Sequence, residues 1–148
     1  MEIKFVHTNI IAKDWRKLSR FYQQVFGLRP VPPPRDLSGA WVEELTGIPG
    51  VHIIGEHLSL PGYEGTLPTL EIFSYNISGE EAPKILNRPG FAHIAFHVEN
   101  VPAMLQKVLD AGGAQVGRLV KTQVNGRMAS FVYAADIEGN IIELQHWG

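Results

Sequence analysis

The order of apolar and polar positions along the chain predicts one plan written twice. Ile3 to Ile11 alternates as a strand does, and from Asp14 the spacing changes to a helical stripe of Leu18, Phe21, Tyr22, Val25 and Phe26 that stops at Gly27. The prolines within Leu28 to Asp36 permit a short strand running into a loop. Ala40 to Leu45 reads as a brief helical turn, Val51 to Leu60 as a strand, Pro61 to Pro68 as a turn, and Thr69 to Asn76 as a further strand. A polar, proline-broken stretch follows at 77–89, with the composition for one turn of helix around Glu80 to Leu86. The plan then returns as strand Ala92 to Glu99, helix Val101 to Ala111, strand Ala114 to Val124 and strand Arg127 to Ala134. Asn125-Gly126 is a hairpin turn between the last two, and a turn at Asp136 to Asn140 leads into a closing strand, Ile141 to Trp147.

Moving the sequence by 86 positions lays His93 on His7, Asn100 on Asp14 and Gly113 on Gly27. Under the same shift Trp15, Leu18, Tyr22 and Val25 meet Val101, Met104, Val108 and Ala111, so the apolar positions of the two helices coincide. This is an internal duplication, and duplicated modules of this length bury their faces against a neighbour. The organisation expected is a single domain over 1–148, with module one at 1–76, a linker at 77–89 and module two at 90–148.

Each module begins with a strand carrying a histidine and ends with a strand carrying a glutamate at its middle, Glu71 in LPTLEIFSY and Glu143 in GNIIELQHW. Strand alternation puts Phe5, His7 and Asn9 on one face, and likewise Thr69, Glu71 and Phe73 in the second strand. His93, Ala95 and His97 share a face in the third, as do Glu143, Gln145 and Trp147 in the fourth. The opposite faces are mainly aliphatic. A carboxylate withdrawn from water needs a partner, so two His and two Glu at related positions point to a divalent cation. His52, His57, His97 and His146 have no counterpart in the other module and read as ordinary structural residues, while His97, two steps from His93 on its face, is also placed to line the same pocket.

Composition narrows the chemistry. With no cysteine, thiolate catalysis and sulfur-ligated metals are excluded, and any metal site is built from nitrogen and oxygen. A formal charge of −2 leaves no basic face for nucleic acid. The first residues have neither the basic start nor the apolar core of a leader peptide, and no later run approaches a membrane span, so a soluble, cytoplasmic protein is expected.

The stretches VHTNIIAKDWRKLSRFYQQVFGL, GFAHIAFHVENVPAMLQKVLDAGG and DIEGNIIELQ resemble the vicinal oxygen chelate superfamily over essentially the whole chain. Its members include glyoxalase I, methylmalonyl-CoA epimerase, extradiol dioxygenases and the bleomycin and fosfomycin resistance proteins. The resemblance implies an α+β fold of two tandem βαβββ modules forming a cup-shaped mixed sheet, with the helices on its convex face. It also implies metal ligands at His7, Glu71, His93 and Glu143, for Zn, Ni, Co, Mn or Fe. An acidic residue at position 71 leans toward glyoxalase I, while a triad of His7, His93 and Glu143 would resemble the dioxygenases and fosfomycin-resistance enzymes. Bacterial glyoxalase I-like sequences carry glutathione-contacting Arg and Asn where Ile11 and Tyr75 stand here, which argues against glutathione.

The chemistry implied is a glyoxalase-like lyase, isomerase or epimerase reaction through an enediolate or enolate of a small carbonyl or thioester substrate. Glu143 is the expected base and Glu71 a ligand able to exchange that role. Phe5, Asn9, Phe73, Tyr75, His97 and Trp147 line the substrate pocket. Edge strands left by open modules, and the oligomers common among the proteins resembled, lead to an expected homodimer. The rival readings are an extradiol-type dioxygenase and a drug-binding resistance protein on the same fold.

Overall fold

Helix α1, Trp15–Phe26, starts where Asp14 in extended conformation accepts the Lys17 amide at 3.1 Å, and ends at Gly27, whose φ of 71° is the left-handed value a C-terminal glycine supplies. A computed structural model describes all 148 residues, and this helix anchors the first of two compact units, Met1–Glu80 and Glu81–Gly148. Around it lie β1 (His7–Ile11), β2 (Arg29–Ser38), helix α2 (Ala40–Thr46), β3 (His52–Ser59) and β4 (Thr69–Tyr75). The second unit holds β5 (His93–His97), helix α3 (Val101–Asp110), β6 (Ala114–Val124), β7 (Arg127–Ala135) and β8 (Ile141–Trp147). Asn100 caps α3 through the Ala103 amide at 2.9 Å, as Asp14 caps α1.

The fold is α+β, with three helices and two four-stranded mixed sheets. Strand order is β1-β4-β3-β2 in the first and β5-β8-β7-β6 in the second, the same order in both copies. The first strand of each pairs in parallel with the last, and the remaining pairs are antiparallel. α1 packs on β3 and β4, and α3 on β6, β7 and β8. Leu18, Tyr22, Leu70 and Ile72 are all buried, which is the aliphatic-face pattern expected from the sequence.

Three local expectations need correction. β2 does not fade into a loop at the prolines but continues to Ser38. Its pairing with β3 is interrupted between Val31 and Arg35, where Pro32 to Pro34 have no N–H to give, and it resumes at Arg35 on this edge strand. No helix forms at Glu80 to Leu86; with Gly79, Pro83 and Pro89 breaking it, the segment has only a turn at Leu86 and Asn87. β1 begins at His7 rather than Ile3, the preceding residues being exposed and unpaired except for the Thr69 amide bonding the Val6 carbonyl. No helix is long and apolar enough to cross a membrane.

A small second core forms in the first unit on the other side of its sheet. Val42 of α2, Val51, Ile53 and Phe73 are buried together, with Leu37, Ile48 and Tyr75 packed against them. Phe73 lies across Gly55, its partner on β3; a Cβ on Gly55 would stand 2.0 Å from the Ile72 carbonyl oxygen and 2.8 Å from the Phe73 ring. Gly55→Ala is therefore expected to lower unfolding free energy by about 1–3 kcal/mol, the usual cost of overpacking, read as a lower urea midpoint.

Candidate functional site

Register decides which side chains meet. Glu71 on β4 faces Asn9 of β1 on its parallel side and His57 of β3 on its antiparallel side, so three strands bring polar groups to one row. His7 lies one pleat along, opposite Thr69. Glu71 is only 8% exposed, and its carboxylate is satisfied from both sides. Asn9 Nδ2 donates to Oε1 at 2.7 Å, His57 Nε2 lies 2.6 Å from Oε2, and His7 Nε2 lies 3.6 Å from Oε1. The rings of His7 and His57 meet edge to face at 5.4 Å.

One potential ligand atom from each of His7, His57 and Glu71 lies within 4.8 Å of the others, a separation that an ion at their centre can bridge. Two imidazoles and a carboxylate form a nitrogen–oxygen set suited to the divalent transition metals. The second ring nitrogen of His57 adds to the fit, since Nδ1 lies 2.7 Å from Oγ1 of Thr69, itself buried. A neutral His57 that donates from Nε2 to Glu71 accepts the Thr69 hydroxyl proton at Nδ1. Were Nε2 to hold a metal, the imidazole proton would sit on Nδ1 with Thr69 as its acceptor, because a hydroxyl serves either role. Phe73 closes the far side, edge-on to His57 at 6.3 Å.

The second unit carries the same row with two changes. Glu143 on β8 faces Ala95 of β5 and Tyr133 of β7, which stand where Asn9 and His57 stand in the first unit. His93 Nε2 is 3.1 Å from Glu143 Oε2, and the rings of His93 and Tyr133 meet at 5.1 Å. With no amide and no second imidazole, Glu143 is a carboxylate with one partner where Glu71 has three.

The expected ligands thus fall as two His–Glu pairs, His7 with Glu71 in the first unit and His93 with Glu143 in the second. His57, assigned a structural role from the sequence, joins the first pair. Of the expected pocket residues, Asn9 holds Glu71 and Phe73 and Tyr75 belong to the core under α2. Phe5 precedes β1 and is exposed. His97 is exposed and stacks on His146 at 5.3 Å, while Trp147 meets Phe131 edge to face. The signal that finds His57 is parity with Gly55 and Ile53 on β3 together with a two-residue offset from Ser59, which pairs with Thr69.

The His57 pKa lies below its ordinary value of 6.5, chiefly because burial penalises the imidazolium. The Glu71 carboxylate opposes that, and the charges of Arg35 and His7 reinforce it. Since the unfolded chain takes up this proton more readily than the folded one, the contribution of His57 to stability is complete above pH 6.5 and is lost as pH falls through the depressed value. The metal-free protein should show a urea midpoint that falls on acidification below pH 6.5, and His57→Gln should flatten that slope.

Comparison with known proteins follows this geometry. The sequence model of the Glyoxalase/Bleomycin resistance protein/Dioxygenase superfamily matches residues 4–144. No curated protein matches. Among solved structures, a glyoxalase family protein from Bacillus cereus superposes with a TM-score of 0.76 at 18% identity, covering 99% of this chain and 94% of that one. A glyoxalase family protein from Enterococcus faecalis gives 0.60 at 22% identity, over 97% and 96%. A genomically encoded fosfomycin resistance protein from Listeria monocytogenes, complexed with Mn(II) and sulfate, gives 0.57 at 17% identity, over 99% and 93%. Identities this low establish a shared fold.

Proposed function

Because the chain belongs to the Glyoxalase/Bleomycin resistance protein/Dioxygenase superfamily, we propose that it is a divalent-metal-dependent lyase, isomerase or epimerase that moves a proton at a carbon next to a carbonyl. The observation that carries this reading is the unequal treatment of two equivalent carboxylates: Glu71 is held by Asn9, His57 and His7, and Glu143 by His93 alone. A carboxylate with three partners is built to stay in place as a ligand, whereas one with a single partner is free to take a proton and return it.

His7, His57 and Glu71 would hold the ion, and in the second unit His93 and Glu143 form the corresponding pair. A divalent cation supplies charge stabilisation to substrate oxygens as negative charge develops there. Glu143 would remove the proton from the carbon beside the carbonyl, leaving the electron pair to shift onto the carbonyl oxygen; the carboxylic acid so formed exchanges its proton with solvent and returns one to the enolate. Thr69 and Asn9 act through others, fixing the ring of His57 and the carboxylate of Glu71.

Glu143→Gln should keep the fold and bind metal while losing turnover. Removing a ligand by His57→Ala should weaken metal affinity, and Thr69→Ala should do so by about 10–100-fold, the range for residues that orient ligands. Both are read by calorimetric titration with Mn(II), Ni(II) and Zn(II). Solvent deuterium entering the α-carbon of hemithioacetal, α-hydroxy-ketone or 2-methyl-thioester substrates is the test of the chemistry, and no exchange with any of them would overturn it.

One observation favours a second reading. The set of His7, His57 and Glu71 is two histidines and one carboxylate, the donor set that leaves positions open in oxygen-activating iron sites. Metal-dependent oxygen consumption with catechols would move the assignment to a dioxygenase.

The proposal includes a cytoplasmic homodimer. β1 and β5 each end their sheet with one side unpaired, and such edges invite a further strand or cover. Light scattering at working concentration is expected to give twice the chain mass of 16.4 kDa, and a monomeric mass would remove this part.

A further inference from the structure

On the sheet face that carries the His–Glu pairs, side chains fall in rows across the strands, so the two units can be compared row by row. In the first, the rows beyond Glu71 and His57 are Phe73 with Gly55, then Tyr75 with Ile53, and α2 packs over them through Val42. In the second, the rows beyond Glu143 and Tyr133 are Gln145 with Phe131, then Trp147 with Ala129. No helix stands where α2 stands, because β6 runs into β7 through Asn125 and Gly126, a two-residue turn with φ of 50° and 77°.

The strip is accordingly left partly open, Ala129 beside Trp147 being buried. Val120, opposite Phe131 on β6, is 49% exposed, and Phe131 and Trp147 are only half-buried. Their rings meet edge to face at 5.4 Å, and Gln145 Oε1 fixes the indole by accepting from Trp147 Nε1 at 2.6 Å. Arg127, on the same face of β7, sits with its guanidinium 5.6 Å above the Trp147 ring and makes no ion pair within the chain. At the other end of the strip stand Glu143 and His93.

We infer that this strip binds a planar aromatic group bearing an anionic substituent, the ring lying against Phe131 and Trp147 and the anion meeting Arg127. An edge-to-face aromatic pair with its orientation locked offers a third ring both a face and an edge, which a saturated ring of equal area does not use. A lone guanidinium at the border of an apolar strip selects a planar anion, since its fork matches carboxylate geometry. Adjacency to Glu143 would put the rest of such a molecule at the proton-transfer site. The inference names a substrate class for the proposed function and rests on that reading for the reaction, but not for the strip itself.

The test is a tryptophan fluorescence titration of the full metal-free chain with benzoate, cyclohexanecarboxylate and benzyl alcohol, backed by equilibrium dialysis of labelled benzoate, which needs no reporter. Benzoate should bind saturably and about tenfold more tightly than cyclohexanecarboxylate, the discrimination available to aromatic pairing. Trp147→Phe should remove the fluorescence change while dialysis still detects binding. Arg127→Gln should weaken benzoate about tenfold, as loss of a charge-assisted contact does, and leave benzyl alcohol unchanged. His7→Ala, which disables the metal site alone, should bind benzoate like the parent, so that failure of the metal reading is distinguishable from failure here. Absence of saturation in dialysis, equal affinity for cyclohexanecarboxylate, an Arg127→Gln variant indistinguishable from the parent, or protection of the strip by a second copy in hydrogen exchange would each overturn the inference.

Discussion

A carboxylate left only 8% exposed has to be satisfied by its neighbours, and the ligand-bearing face of the first unit is arranged around that demand at Glu71. Its partners come from both flanks of β4, Asn9 and His7 through the parallel pairing with β1 and His57 through the antiparallel pairing with β3. A one-residue slip of either neighbour would turn those side chains to the opposite face and leave the carboxylate without them. What prevents the slip lies beneath the sheet, where Leu70 and Ile72, adjacent to Glu71 in sequence and on the other face, are buried on the side that α1 covers. The hydrophobic core sets the register, and the register assembles the polar row.

Duplication gave both units this row, and two positions made them different. Asn9 and His57 restrain Glu71, while Ala95 and Tyr133 leave Glu143 with one histidine. A carboxylate held by several partners stays in place, because it must give them up before it can take a proton, and one with a single partner is under less restraint. The connection between the middle strands differs as well. Where the first unit inserts α2 and buries Phe73 beneath it, the second turns in two residues and keeps Phe131 and Trp147 half open. The first copy buries its aromatic row, and the second keeps apolar surface half open.

Much of this is legible in the sequence. Helix caps at Asp14 and Asn100, the stop at Gly27, the Asn125-Gly126 turn and the equivalence of His7 with His93 depend on residues close in sequence or on direct comparison of two stretches, and the fold bears them out. Some departures from the sequence pattern are local contests: the prolines interrupt an edge strand without ending it, and a segment with helical composition around Glu80 to Leu86 is stopped by its own glycine and prolines.

By itself the sequence determined which residue types were available and which face of a strand each one took, because alternation is a property of the extended backbone and needs no partner. That was enough to put His7, Glu71, His93 and Glu143 on polar faces and to exclude sulfur ligands. Only the tertiary structure decided that His57 reaches Glu71, that Asn9 clamps it and that Phe73 is core, since each depends on the register between strands up to 62 residues apart. Register is settled by packing on both sides of the sheet at once, and the duplication that revealed the histidine and glutamate pairs was silent at His57 because the matching position holds a tyrosine.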